Sequence, residues 1–297
     1  MPRDRALALY IEPPRPYYRR KLLVVAPLLV WVAAALATLV AYAPDEHPAL
    51  SLMFGLICSG VGLIAMATPL VWRSIREILG ALAARKLNKR AVALLNRSDD
   101  ADAAAEAETM LREALAQPRL VPSSMAGLVH NLGVARFARG DAKGGRDLLE
   151  HAWKSGWMMS LALRRHRAIH AQAMVVVCVA NDALDDARAA LVRSRAAQTP
   201  AQRPVVDVAA LLLHTRAEEY AEALQIAEGL DYAALAPQMA ATARLVRAMA
   251  AHQTGAAADQ VALFVSEIPT LAPNRLAWAA EGWPELMAFA TEHNKAP

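Results

Sequence analysis

The stretch SMAGLVHNLGVARFARGDAKGGRDLLEHAWKSG, Ser124–Gly156, decides the fold. Leu132 and Gly133 stand three and four residues after Val129, and Arg136 four and three after them, the steps that share a helix face. Gly140-Asp141 interrupts the pattern, glycine relieving the end of one helix and aspartate capping the start of the next. Gly145, Leu149 and Ala152 then resume it. The stretch predicts helix, turn, helix.

Outward from it, the punctuation repeats. From about Arg73 onward the chain reads as amphipathic helices broken at Ser98-Asp99-Asp100, Arg139-Gly140-Asp141, Ala180-Asn181-Asp182 and Thr254-Gly255, with Pro118, Pro200, Pro237 and Pro269 following helices. Strand-like alternation is absent apart from Val175-Val176-Val177, which sits in a helical context. The 67 alanines among 297 residues agree, because alanine costs least in a helix. The expected class is all-α. Second helices like that of Ser124–Gly156 recur as Ala107-x3-Leu111-x2-Ala114, Ala187-x3-Leu191-x2-Ser194, Ala223-x3-Ala227-x2-Leu230 and, weakly, Gln260-x3-Phe264. Their starts at 107, 145, 187, 223 and 260 are 38, 42, 36 and 37 residues apart.

These units resemble the tetratricopeptide repeat, whose small residues let the two helices of a unit pack closely while larger apolar ones fill the seam. Val129 stands where that family favours Trp, Arg136 where it favours Tyr, and Trp157 near its usual Pro. The resemblance implies an α-solenoid of about five helix pairs over residues 88–270, followed by a capping helix and tail over 271–297. There, Trp278, Trp283, Leu286 and Phe289 are suited to covering the apolar face of the last unit. It also implies a groove, made by the first helix of each unit, that binds a peptide or protein. Projected onto this chain the groove is lined by His130, Val134, Phe137, Gln172, Val176, Val208, Leu212, Leu245 and Met249. These are mainly apolar, so an amphipathic helix or apolar segment is the natural guest.

The N-terminal quarter is of another kind. Leu22–Ala43 and about Pro48–Trp72 contain no charged residue, and each is long enough at about 1.5 Å per residue to cross roughly 30 Å of hydrocarbon. Ala41-Tyr42-Ala43 has the form of a signal-peptide cleavage site, but Pro44 directly after it and the second span speak against cleavage. Pro44-Asp45-Glu46-His47-Pro48 is too short for anything but a hairpin, so residues 22–72 form a two-helix transmembrane hairpin. Seven cations of the basic segment 73–97 face Glu77 alone, and six in residues 1–21 face Asp4 and Glu12, so these stretches hold +10 while residues 98–297 hold −4. The positive-inside rule then places both termini in the cytoplasm, at a bacterial inner membrane, with the basic clusters against the anionic leaflet. Ser51, Gly55, Ser59 and Gly62 in the second span permit close helix packing, against the first span or in a homo-oligomer.

Chemistry is sparse. The overall +4 is concentrated beside the spans, which excludes a basic body for nucleic acid. His166-x3-His170 has ligand-like spacing, yet Arg164, Arg165 and Arg167 would repel a cation, so no metal is expected. Cys58 and Cys178 lie far apart and make neither a disulfide framework nor a paired metal knuckle; Cys178 reads as a small core residue, and Asp185-Asp186 and Glu218-Glu219 as helix-start acids favoured by the helix dipole. Gly140–Gly145 lacks the preceding strand of a phosphate loop. The expected protein is a membrane-tethered adaptor without catalytic residues or cofactor, its partner a membrane-associated protein. The second expectation is an accessory subunit docked through its spans.

Overall fold

A computed structural model describes residues 79–96, 102–117, 122–159, 161–268 and 276–293, with single positions at 75, 120 and 271; every regular element among them is helical. The basic segment 1–21, both apolar stretches, the packing residues Ser51, Gly55, Ser59 and Gly62, Cys58, the 98–100 break, Pro118 and Pro269 lie outside the described residues. Among the described residues no helix is long and apolar enough to cross a membrane. The chain divides into two compact units, Met1–Ala83 with Gln117–Val121, and Ala84–Ala116 with Pro122–Pro297.

Helix α1 occupies residues 79–95. In the second unit follow α2 (Ala103–Leu115), α3 (Pro122–Ala138), α4 (Ala142–Lys154), α5 (Arg167–Ala180), α6 (Leu184–Ala197), α7 (Arg203–Arg216), α8 (Tyr220–Glu228), α9 (Pro237–Gln253), α10 (Ala258–Ser266), α11 (Ala277–Gly282) and α12 (Pro284–Glu292). Helices α3 and α4, α5 and α6, α7 and α8, and α9 and α10 pack as successive pairs. The first helix of a pair also meets the first helix of the next, α3 on α5, α5 on α7 and α7 on α9.

One turn closes all four pairs. Gly140, Asp182, Glu218 and Gly255 take left-handed backbone at φ 91°, 55°, 60° and 76°. The amide of the residue after each donates to the carbonyl five positions back: Asp141 to Arg136 (3.0 Å), Ala183 to Cys178 (2.9 Å), Glu219 to His214 (2.8 Å) and Ala256 to Ala251 (3.1 Å). This is the six-to-one bond that ends a helix in a Schellman motif and turns the chain back. Each left-handed residue stands five positions before Gly145, Ala187, Ala223 or Gln260, so the backbone repeats in step with the second-helix pattern.

The pattern positions themselves face inward. Ala107, Leu111 and Ala114, Leu149 and Ala152, Ala187 and Leu191, and Ala223 and Ala227 are all 5% exposed or less. Gln260 is exposed and Phe264 half-buried, so α10 holds its pair mainly through Val261. At the α3/α4 seam, a Cβ on Gly145 would come within 2.9 Å of the Gly133 carbonyl oxygen, and one on Gly133 within 2.9 Å of Leu149 Cγ. Side chains at these two positions would force the backbones apart. The long step from 145 to 187 has a local cause: two 3₁₀ turns, Trp157–Met159 and Leu161–His166, lie between α4 and α5. Arg167 pins the first of them by donating to the carbonyls of Met158 (3.0 Å) and Met159 (2.7 Å).

The C-terminal helices depart from a simple end cap. They run back along the row of turns: Trp278 stacks on Phe137 at 5.4 Å, Gly282 abuts Ala180, Glu285 pairs with Arg216 at 3.0 Å, and Phe289 meets His252 at 5.6 Å. The apolar face predicted to cover one unit therefore touches the first helix of four. Extended backbone at Trp283 (φ −150°, ψ 69°) separates α11 from α12, and Trp283 is 1% exposed beneath the Arg216 guanidinium.

Left-handed backbone disfavours any side chain with a Cβ, so Glu218→Gly is expected to raise stability by about 0.5–1 kcal/mol and Gly140→Ala to lower it by about 1 kcal/mol. Thermal unfolding of the full chain checks both signs.

Candidate functional site

Of the nine residues predicted to line a groove, five reach the surface and four are buried. His130, Val134 and Phe137 on α3 and Gln172 and Val176 on α5 are half-buried and reach the surface. Val208 and Leu212 on α7 (3% each) and Leu245 and Met249 on α9 (0% and 3%) do not. The reason is the position of these helices. Helix α7 is packed by α5, α6, α8 and α9, and residues 208–213 are buried around the whole circumference; in α9 the same holds for 248–251. These four residues join helices to one another, and the accessible members of the predicted nine all lie on α3 and α5. Within it Phe137 is already stacked against Trp278.

At the centre of this face lies a histidine pair that bridges the two helices. His130 Nδ1 and His170 Nδ1 are 3.0 Å apart, and His170 Nε2 is 3.1 Å from the Leu149 carbonyl oxygen. A carbonyl only accepts, so His170 carries its proton on Nε2, and its bare Nδ1 accepts from the Nδ1–H of His130. Trp153 lies parallel to the His170 ring (5.9 Å, 9°), and the Arg193 guanidinium covers Trp153 at 5.1 Å. Burial lowers His130 to about 3, helped by the neighbouring His170 and His166. Burial likewise lowers His170 to about 4, the Leu149 carbonyl opposing and Arg193 assisting. Both imidazoles are neutral in the folded protein at neutral pH.

The spacing His166-x3-His170 thus separates in space. His166 is exposed at the end of its 3₁₀ turn, whereas His170 turns inward to a partner forty residues earlier in sequence. Among the described residues there is no group of three or more His, Cys, Asp or Glu able to hold a metal ion. Cys178 is fully buried, and burial pushes its thiol up to about 11. Asp185 and Asp186 lie in the first turn of α6, where Asp186 pairs with Arg146 at 2.5 Å. Glu219 precedes α8 and accepts from His214 Nδ1 (2.6 Å) and Arg188 (2.8 Å). Asp141 caps α4 by accepting from the Gly144 amide at 2.8 Å.

A second cluster escaped the sequence reading. Glu108, 4% exposed, receives Arg112 (2.5 Å), Arg136 (3.2 Å) and Arg139 (2.5 Å), joining α2 to the end of α3. With Asp141 these residues line a cavity of about 280 Å³. Burial pushes the Glu108 carboxyl up, but the hydrogen bonds and charges of Arg139, Arg112 and Arg136 outweigh it and hold the group below its ordinary value. The signal was present in Arg136 itself, a cation where the resembled family has an aromatic ring. Its partner, twenty-eight residues away, was not readable from spacing.

No protein-family model, curated protein or solved structure matches this chain.

Two pH responses follow. Unfolded histidine binds a proton below about 6.5, which the folded pair resists until about 4 and 3, so their contribution is complete above pH 6.5 and is lost as pH falls through this window. The slope is at most about 1.4 kcal/mol per pH unit for each ring. In acid titrations followed by thermal unfolding, the double variant His130→Gln/His170→Gln is expected to show a shallower decline between pH 6.5 and 4 than the parent. Glu108→Gln leaves three guanidiniums without their carboxylate and is expected to cost about 2–4 kcal/mol at pH 7. Because the folded carboxyl lies below its ordinary 4.5, that deficit shrinks as pH falls from 4.5 through the folded value and the parent too becomes protonated.

Proposed function

We propose that this protein is a membrane-anchored interaction adaptor, whose tetratricopeptide-like helical domain holds a helix or apolar segment of a membrane or envelope-assembly complex. The two uncharged stretches of residues 22–72 are the anchor, at a bacterial inner membrane with both termini in the cytoplasm. The observation that carries the reading is the four-fold recurrence of one helix-closing turn, in step with the second-helix pattern. Such a stack presents successive first helices side by side, the arrangement by which repeat domains offer an extended surface to a partner. The partner's seat is the α3/α5 face, where Val134 and Val176 flank His130 and Gln172. Neutral imidazoles and valines favour an apolar guest with a few polar groups over an acidic peptide. Tethering raises the guest's effective concentration at the bilayer.

A photo-crosslinking residue at Val134 or Val176 of the full chain, activated in native membranes, is expected to capture a membrane-fractionating protein that a probe at the exposed Val192 of α6 does not. Equal capture from all three positions sinks the assignment of the face. Replacing residues 22–72 with an unrelated transmembrane hairpin is expected to preserve the crosslink. Its loss would favour the accessory-subunit reading, in which Ser51, Gly55, Ser59 and Gly62 make the contact.

A further inference from the structure

Helix α1 carries Arg85, Lys86, Lys89 and Arg90 on consecutive turns, all four exposed. None of them forms an ion pair, and no Asp or Glu occurs between Glu77 and Asp99 to supply one. In the helices that follow, Arg146 closes on Asp186 (2.5 Å), Lys154 on Glu150 (2.6 Å) and Arg188 on Glu219 (2.8 Å), and exposed cations without an ion pair, such as Lys143 and Arg195, stand singly rather than four on one face. The roll of the helix is fixed. Ala84, Ala91 and Leu94 are buried, and Asn88 Oδ1 accepts from Asn131 Nδ2 of α3 at 2.7 Å, so the body of the unit holds one face and presents the cations on the other.

We propose that this face of α1 lies on the anionic headgroups of the bilayer, with Arg85, Lys86, Lys89 and Arg90 as the lipid contacts. The proposal rests on the membrane-anchored reading. Arg85 follows Trp72 by 13 residues, which even fully extended keep it within about 45 Å of the bilayer surface. A polyanion such as nucleic acid extends beyond a four-residue patch and would meet residues 98–297, which carry −4. A layer of mobile anionic lipids contacts the patch alone and gathers beneath it.

The test uses the full chain, with Cys58→Ala and Cys178→Ala, carrying a nitroxide on Ala93→Cys at the exposed face of α1. It is reconstituted into discs of phosphatidylcholine alone or with phosphatidylglycerol. Collisions of the nitroxide with an aqueous nickel complex are expected to fall about threefold in the anionic discs and to recover in high salt. In the variant R85Q/K86Q/K89Q/R90Q they are expected to be equal in both lipids. Equal collision rates in both lipids for the parent, or the same fall in the variant, would overturn the proposal. So would nuclease treatment alone restoring access. The anchor is read separately, by resistance of the full chain to alkaline carbonate extraction from native membranes. A chain that is extracted yet still shows the lipid-dependent fall on added vesicles of the same lipids refutes the anchor and keeps the contact.

Discussion

A helix that must reverse within three residues has few ways to do so, and in this protein the same one is used four times. The left-handed residue at 140, 182, 218 and 255 lets the next amide reach back five positions, which satisfies a carbonyl that would otherwise be orphaned. Two of the four positions are glycine, while Asp182 and Glu218 accept the strain of a Cβ there. Both turns are tied down: Asp182 itself pairs with Arg216 at 3.3 Å, and Glu219, next to Glu218, is held by His214 and Arg188. Once each pair is closed by the same turn, the first helices fall side by side and the turns form a row. The C-terminal helices lie along that row.

Small residues govern how tightly the pairs close, and they set what else the fold requires. Alanine and glycine at the seams bring backbones together but remove little apolar surface per residue. Larger contributions come from few positions, among them Leu111, Leu149, Leu211 and Leu245, and from the tail, where Trp283, Leu286 and Phe289 are buried against several units at once. That segment reaches Phe137 of α3, Arg216 of α7 and His252 of α9 in turn. The polar interior is correspondingly specific. Ser194, which replaces alanine in the repeating pattern, donates to the Ala168 carbonyl at 2.8 Å, and the histidine pair and Glu108 each join elements distant in sequence. Groups of this kind stabilise one register and penalise others, since a shifted helix would leave them buried without partners.

The second helices up to α8 were legible in the sequence because one face of each is apolar and the other charged, so Ala107-x3-Leu111-x2-Ala114 and its copies at 145, 187 and 223 mark the buried face directly, whereas Gln260-x3-Phe264 does not. For the first helices, the face expected to be accessible is accessible on α3 and α5 alone. Helices α7 and α9 are apolar around most of their circumference through Ala209–Leu213 and Ala248–Ala251, and a helix buried on every side has no stripe from which to set its phase. Contacts across long separations were invisible for a different reason. Periodicity reports which face of a helix is buried, never what it meets, so neither the His130 to His170 contact nor the course of Trp278–Phe289 along four helices is encoded in any local pattern.

The charges divide along the same lines. Across the repeating pairs several cations are taken up by neighbours: Arg146, Arg188 and Arg216 each bridge one pair to the next or to the tail, and three arginines converge on Glu108, while Lys143 and Arg195 stand exposed without an ion pair. Exposed bridges of this sort add little stability singly, but they remove net charge from the lateral surfaces of the stack. Positive charge survives unpaired on α1, in the part of the sequence that follows the two uncharged stretches. An alkaline isoelectric point of about 9.2 is thus a property of the chain's first third. Residues 98–297 beyond it carry a net −4, so the basic character of the chain stops where the repeating pairs begin.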